Sequence, residues 1–178
     1  MRVRRLHFLV LAAFTTLALS AQQHPVSERA AARIQKEVLH ELRMLPYLTV
    51  FDNLAYRIDG YKVTLLGQVT NPVVKTDAEK AVKSIEGVEQ VDNQIEVLPP
   101  FPMDNRLRRA LFRAIYGFPS LQKYDMSVIK PIRIIVKNGH VTLEGVVDNQ
   151  TDKDTAGIRA NGVSGVFSVT NNLQVVKS

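Results

Sequence analysis

The chain has 178 residues, of which 46% are apolar and 22% are charged, and this balance is typical of a globular protein. It excludes both an intrinsically disordered chain and a protein built from membrane-spanning helices. There is no cysteine, so the fold cannot depend on disulfides. The formal net charge is +6 at neutral pH.

The first residues form a basic and then apolar leader. An apolar run over residues 6–19 ends in small residues and is preceded by three basic side chains, Arg2, Arg4 and Arg5. This layout predicts a signal peptide at residues 1–21, cleaved near Ser20 or Ala21. The alternative, a membrane anchor, needs about 20 apolar residues, more than this run supplies. We therefore expect an exported protein with no transmembrane span after cleavage and a net charge of about +3.

The rest of the chain contains an internal repeat. A constant step of 78 residues superimposes 63–65 on 141–143, which read Val-Thr-Leu in both copies. The same step relates three further pairs: Gly67 and Gly145, Gly87 and Gly165, and Val88 and Val166. Self-similarity over a fixed period indicates two tandem copies of one small module.

The first copy, residues 26–98, begins with a predicted helix over 27–45, where apolar residues recur with helical spacing. Alternating apolar residues then predict a β-hairpin with its turn at 59–62. The lack of a side chain at Gly67 should let a helix or another backbone approach the second strand. Asn71 and Pro72 predict the start of a second helix, which Gly87 is expected to end. A third strand over 88–97 completes an α-β-β-α-β module.

A proline-rich linker at 99–102 precedes the second copy, residues 103–177. Its first helix aligns with that of the first copy at a step of 73, so five extra residues are expected within 122–130. Its second helix contains an interior Gly157, and Asp152 replaces the apolar Val74. The predicted fold is α+β: two tandem α-β-β-α-β modules, each a three-stranded mixed sheet packed against two helices.

These patterns resemble the BON domain. The residues that carry the resemblance are small or aliphatic, and in this sequence they include Gly67, Gly87, Val88, Gly139, Gly145, Gly165 and Val166. The resemblance implies a periplasmic protein that binds anionic phospholipid or an envelope protein without catalysis. The motif residues specify a fold and not a chemical site.

The sequence contains no recognisable catalytic constellation. The histidines after the leader, His24, His40 and His140, are scattered, so we predict neither a metal site nor a cofactor. Acidic pairs at Asp52 with Asp59 and at Asp152 with Asp154 are explained by helix capping and solvation. The Gly-x-x-Gly at 162–165 joins a helix to a strand, unlike the nucleic-acid-binding loop of KH modules. We expect a non-enzymatic protein that does not bind nucleic acid.

One predicted helix, over 104–116, has an unusual outer face. At about 100° per residue, Leu107, Leu111 and Ala114 face inward, whereas the opposite side gathers the candidate lipid-binding residues Arg106, Arg109, Phe112, Arg113 and Tyr116. Arginines beside aromatic rings are suited to the head groups of an anionic bilayer. The alternative is that Phe112 and Tyr116 pack against the first module or the extra residues. A second functional hypothesis is a chaperone-like protein that holds unfolded clients through exposed apolar surface.

Overall fold

The computed structural model describes residues 28–176. The first module follows the predicted order. Its elements are α1 (Glu28–Arg43), β1 (Asn53–Asp59), β2 (Lys62–Val69), α2 (Pro72–Lys83), β3 (Gln90–Asn93) and β4 (Glu96–Val97). β1 and β2 form an antiparallel hairpin, and β3 and β4 both pair with β2 in parallel.

The second module repeats this arrangement with one addition, a 3-10 helix after its first α-helix. Its elements are α3 (Pro102–Tyr116), the 3-10 helix (Pro119–Met126), β5 (Ile132–Lys137), β6 (His140–Val147), α4 (Gln150–Asn161), β7 (Ser168–Asn171) and β8 (Gln174–Val175). β5 pairs with β6 antiparallel, and β7 and β8 pair with β6 in parallel. The predicted α+β fold of two modules with mixed sheets is therefore confirmed.

Each module has its own hydrophobic core between its helices and its sheet. In the first module Ile34 and Val38 of α1 and Val74 and Val82 of α2 are fully buried, as is Leu65 of β2. Burying a side chain of this size stabilises the fold by about 1.5–3 kcal/mol. The second core also contains the 3-10 helix, which contributes the buried Leu121 and Tyr124. The extra residues are thus part of the packed structure.

The third strand of each module is interrupted, and a repeated asparagine explains the interruption. The amide nitrogen of Asn93 donates to the carbonyl of Lys75 in α2 (3.0 Å), and its oxygen accepts from the backbone of Ile95 (3.2 Å). Asn171 does the same with Lys153 (2.8 Å) and Leu173 (3.3 Å). Because these bonds tie the strand to the neighbouring helix, the third strand predicted over 88–97 is shortened and divided into two, and its counterpart in the second module is divided in the same way.

The glycine in the second strand of each hairpin is required by the neighbouring strand. Gly67 and Gly145 have φ angles of +110° and +116°. A Cβ on Gly67 would lie 2.0 Å from the carbonyl oxygen of Asn53, and one on Gly145 would lie 1.9 Å from that of Pro131. The close approach predicted for Gly67 is therefore made by the backbone of the neighbouring strand, β1.

A further predicted feature, the end of the second helix, differs from the structure. The helix α2 ends at Lys83, four residues before Gly87, which lies with φ +90° in the turn that leads to β3. The predicted role of Gly87 as the helix-ending glycine is therefore wrong. The interior Gly157 of α4 has a packing reason, because a Cβ there would come within 2.9 Å of the Asn171 amide.

The predicted signal peptide at 1–21, the predicted module start at 26 and the predicted end at 177 lie outside the described residues. Within 28–176, no helix is both long and apolar enough to cross a bilayer.

The two modules contact each other through the loop between α1 and β1. The backbone N–H of Ile134 donates to the carbonyl of Val50 (2.9 Å), and the Arg133 guanidinium donates to the carbonyl of Thr49 (2.9 Å). Val50 and Phe51 also pack on the core of the second module. This loop therefore sets how the first module sits against α3 and β5.

Candidate functional site

The helix α3 presents a row of three exposed arginines, Arg106, Arg109 and Arg113. None of their guanidinium groups forms an ion pair or hydrogen bond with another described residue. The nearest acid in the helix, Asp104, is only 1% exposed, and its carboxylate accepts from the backbone N–H groups of Asn138 (2.8 Å) and Gly139 (2.9 Å). The arginine row therefore keeps its positive charge available to an outside partner.

A fourth arginine of α3, Arg108, has a structural role that we did not predict. It is 4% exposed, and its two terminal nitrogens donate to the carbonyl of Val136 and the side chain of Asn105, both at 2.6 Å. Burial lowers the pKa of its guanidinium. At about 100° per residue, Arg108 lies within the same arc as Leu107 and Leu111, so the helical spacing did contain this signal. Together Asp104 and Arg108 fasten α3 to the hairpin of β5 and β6.

Tyr116 does not lie on the outer face of α3. It is 3% exposed, and its hydroxyl donates to the carbonyl of Ile132 (2.6 Å) and accepts from the same residue's N–H (3.1 Å). Burial raises the pKa of this phenol. The prediction that Tyr116 stands beside the arginines was wrong because the inward arc of α3 is wider than its aliphatic residues indicate. Both hydrogen bonds of the hydroxyl are therefore made to the backbone of β5.

Phe112 is half-buried at the boundary between the modules. Like Val50 and Phe51 of the first module, it packs against the core of the second module, and its ring lies 4.9 Å, centroid to centroid, from that of Tyr116. A shallow groove of about 300 Å³ is lined by Val50, Phe51 and Phe112 together with Arg109 and Arg113. Packing against the first module was the alternative that the sequence left open for Phe112. The outer face of α3 is consequently cationic, with its aromatic rings turned inward.

The corresponding helix of the first module lacks such a row. In α1, Arg33 is paired with Glu86 (2.8 Å), and Glu37 and Glu41 are interspersed with the basic residues. The outer faces of α1 and α3 thus differ in charge, although the two helices occupy the same place in the same fold. The two faces are therefore suited to different partners.

Helix capping and solvation do not fully explain the two acidic pairs, because one member of each pair, Asp52 or Asp152, is buried. Asp52 is fully buried and accepts four hydrogen bonds of 2.6–2.8 Å, from the N–H and hydroxyl groups of Thr49 and Thr70. Asp152 is 5% exposed, and its carboxylate binds the Tyr124 hydroxyl (2.7 Å) and the Lys123 ammonium (2.8 Å). The capping and solvation hypothesis was therefore wrong for Asp52 and incomplete for Asp152, whose N–H is bound by the N-cap Asn149.

No metal-binding cluster of three His, Cys, Asp or Glu side chains occurs among residues 28–176. His40 and His140 are both exposed, and the ring of His140 is hydrogen-bonded to the Ser168 hydroxyl (2.7 Å). His24 lies outside the described residues. A cleft of about 640 Å³ lies between the modules and is lined by apolar side chains such as Leu48, Leu54 and Val128 together with Arg43 and Arg133.

The small residues that carry the family resemblance lie in turns and cores. Gly139 and Gly165 occupy the two loops beside the start of α3, and Val88 and Val166 are half-buried against their respective cores. They position the backbone and supply no polar group to the arginine row.

Comparison with known proteins is consistent with this architecture. The family model described as BON domain matches residues 30–99 and 121–177. The osmotically-inducible protein Y of Escherichia coli (strain K12) is 27% identical over 133 residues, which cover 68% of this chain and 61% of that protein. The chain therefore spans about three fifths of the length of this relative.

Two solved structures of CdsD, a structural protein of the type III secretion system of Chlamydia trachomatis, are also similar. One is the C-terminal domain, with a TM-score of 0.32 and 12% identity over 80% of this chain and 96% of that chain. The other has a TM-score of 0.33 and 12% identity over 82% and 93% of the two chains.

Proposed function

This chain belongs to the BON domain family, and from that premise we propose that it is a non-enzymatic envelope protein that attaches to anionic phospholipid. The attachment is made by the outer face of α3, through Arg106, Arg109 and Arg113. In this proposal the leader is cleaved near Ser20 or Ala21, and the mature protein works in the periplasm.

The observation that carries this proposal is the unpaired charge of the arginine row. A guanidinium near an anionic bilayer contributes about 1 kcal/mol of attraction, so three contribute about 3 kcal/mol, or about a hundredfold in affinity. An exposed cation already paired to a carboxylate would contribute much less. Arg33 of the first module is paired in this way, at 2.8 Å to Glu86, which is why we assign attachment to the second module.

The proposal gives Phe112 and Tyr116 an indirect role. Tyr116 holds α3 against β5 through Ile132, and Phe112 packs on the second core and lines a groove with Val50 and Phe51. These contacts keep the helix in a single orientation, so its three guanidinium groups meet the head groups together. The lipid-facing residues of the proposal are therefore the arginines.

The experiment that tests lipid attachment is vesicle sedimentation of the mature protein. Binding to vesicles of phosphatidylcholine and phosphatidylglycerol is expected at low salt, with little binding to phosphatidylcholine alone. Binding to the mixed vesicles should fall steeply toward physiological salt, where charge attraction decays over about 8 Å. Equal binding to both kinds of vesicle, or none at low salt, would exclude this function.

A chaperone-like function is the second candidate, and one observation favours it. At the end of the 3-10 helix and in the loop that follows it, Met126 and Val128 are 89% and 100% exposed, and Val128 borders the cleft between the modules. Exposed apolar side chains of this kind can hold unfolded segments of another protein. Suppression of the aggregation of a denatured client, unaffected by charge reversal of the arginine row but lost on changing Val128→Glu, would favour this candidate.

A further inference from the structure

A cluster of exposed apolar side chains lies at the N-terminal end of α3. Phe101, Met103 and Phe167 are 49%, 53% and 80% exposed. The loop residue Gly165 lies 3.6 Å from the Met103 side chain, measured from a Cβ built on the glycine, and Gly139 lies 3.6 Å from the Phe167 side chain. Helix start, hairpin turn and the loop before β7 thus converge on one end of the second module. We call this cluster the apolar tip.

Among the described residues, the first module has no such cluster at the equivalent place. The N–H of Phe167 donates to the carbonyl of Gly139, and the N–H of Glu89, 78 residues earlier, donates to the carbonyl of Tyr61, both at 2.9 Å. Glu89 is therefore the structural counterpart of Phe167. The step of 73 that relates α1 to α3 pairs Phe101 with Glu28 and Met103 with Ala30. The same fold accepts an acidic residue here, so core packing does not require the phenylalanine.

The charges around the apolar tip indicate what it meets. Two carboxylates that contact the hairpin turn and β5 are already engaged, Asp104 by the backbone of the turn and Glu96 by Lys137. Arg106 follows Met103 by three residues and so lies on the same side of α3. An exposed apolar cluster beside an unpaired cation complements the surface of an anionic bilayer.

We propose that the apolar tip is the part of this protein that inserts into the bilayer, with Phe167 and Met103 entering the boundary between head groups and acyl chains. This inference rests on the proposed lipid attachment and extends it. The arginine row supplies the salt-sensitive attraction, and the apolar tip supplies a component that salt does not screen. The loop with Ser164 and Gly165 follows α4 and carries Phe167 to the membrane.

The experiment uses a fluorescent label and a charge substitution. Because the chain has no cysteine, Ser164→Cys gives one labelling position in the tip, and Glu89→Cys gives an exposed position in the matching loop of the first module. A polarity-sensitive dye at residue 164 should shift to shorter wavelength on mixed phosphatidylcholine and phosphatidylglycerol vesicles, and the dye at residue 89 should not. If residue 164 stays in water while the protein binds the vesicles, insertion of the tip is wrong and lipid attachment stands.

The substitution Phe167→Glu tests the tip by affinity. It introduces the residue that the first module has at this place, so the fold should be retained, and its thermal unfolding serves as the control. Binding at physiological salt should weaken at least about tenfold through the lost apolar insertion, and binding at low salt should weaken too, because the new carboxylate is repelled by the anionic surface. Val128→Glu, in the other exposed apolar loop, should leave both unchanged.

Three results would overturn the inference. One is unchanged binding of Phe167→Glu at physiological salt, and another is loss of binding with Val128→Glu instead. The third is a concentration-dependent dimer that Phe167→Glu abolishes, since the tip would then meet a second copy of this chain. If wild type binds no vesicle under any salt condition, the proposed function itself fails.

Discussion

Replacing Asp52 with alanine should destabilise the first module and loosen its contact with the second. The Asp52 carboxylate is fully buried and accepts four bonds that join the loop after α1, at Thr49, to the end of β2, at Thr70. Breaking a buried charged network typically costs about 3–5 kcal/mol. Thr49 is itself exposed, so water can replace part of the loss on that side, and we expect a cost of about 2–4 kcal/mol.

The position of this network makes a second consequence measurable. The Thr49 carbonyl accepts from Arg133, and the Val50 carbonyl accepts from Ile134, so the loop that Asp52 holds is also the loop that contacts the second module. Faster hydrogen exchange is therefore expected at Ile134 as well as around Thr70.

Chemical denaturation of wild type and Asp52→Ala measures the first effect, and hydrogen exchange measures the second. Asp59→Ala is the matched control, because Asp59 is exposed at the end of β1 and its loss should change stability by less than about 0.5 kcal/mol. The reasoning is refuted if the two variants unfold at the same denaturant concentration, or if exchange at Ile134 is unchanged.

Three further predictions concern other contacts. Burial would raise the pKa of Asp152, but hydrogen bonds from Lys123, Tyr124 and Asn149 outweigh it and lower this pKa. The carboxylate therefore stabilises the fold above the unfolded pKa of about 4, and this stabilisation is lost as the pH falls. Acid titration of unfolding should separate wild type from Asp152→Asn near neutrality but not at low pH. Gly145→Ala should cost at least about 2 kcal/mol through its positive φ and the Pro131 carbonyl, whereas Gly162→Ala, with φ −76°, should be nearly neutral in thermal unfolding. Phe112→Ala should cost about 1–2 kcal/mol, because the half-buried ring is lost from the edge of the second core, yet change vesicle sedimentation little; a large loss of vesicle binding with unchanged stability would contradict its indirect role.

The fold could be predicted because the repeat aligns two independent copies of the same pattern. Gly67 with Gly145 and Asn93 with Asn171 recur for the same physical reasons in both modules, a close backbone approach and a bond to the neighbouring helix. The limits of the second helix were less predictable. Gly87 looked like its end, but α2 stops at Lys83, since turn geometry after a helix can place the positive φ several residues later.

The candidate site was predicted only in part. Arg106, Arg109 and Arg113 are exposed as helical spacing indicates. Tyr116 and Arg108 were misjudged or missed because each donates to a backbone carbonyl of β5, Tyr116 to that of Ile132 and Arg108 to that of Val136. A pattern along one helix carries no information about which carbonyls the next element offers. Asp52 was misjudged for the same reason, since its partners lie 3 and 18 residues away.

The most direct test of the account is charge reversal of the arginine row against a control with the same net charge. Arg106, Arg109 and Arg113 are changed together to glutamate, and in the control Lys36, Lys80 and Lys83, which are exposed in α1 and α2, are changed in the same way. Affinity for vesicles containing phosphatidylglycerol, measured at low salt, should fall at least about a hundredfold in the arginine variant and far less in the lysine control. Equal losses in the two variants would mean that net charge alone drives binding, and unchanged binding of the arginine variant would contradict the assignment of lipid attachment to α3.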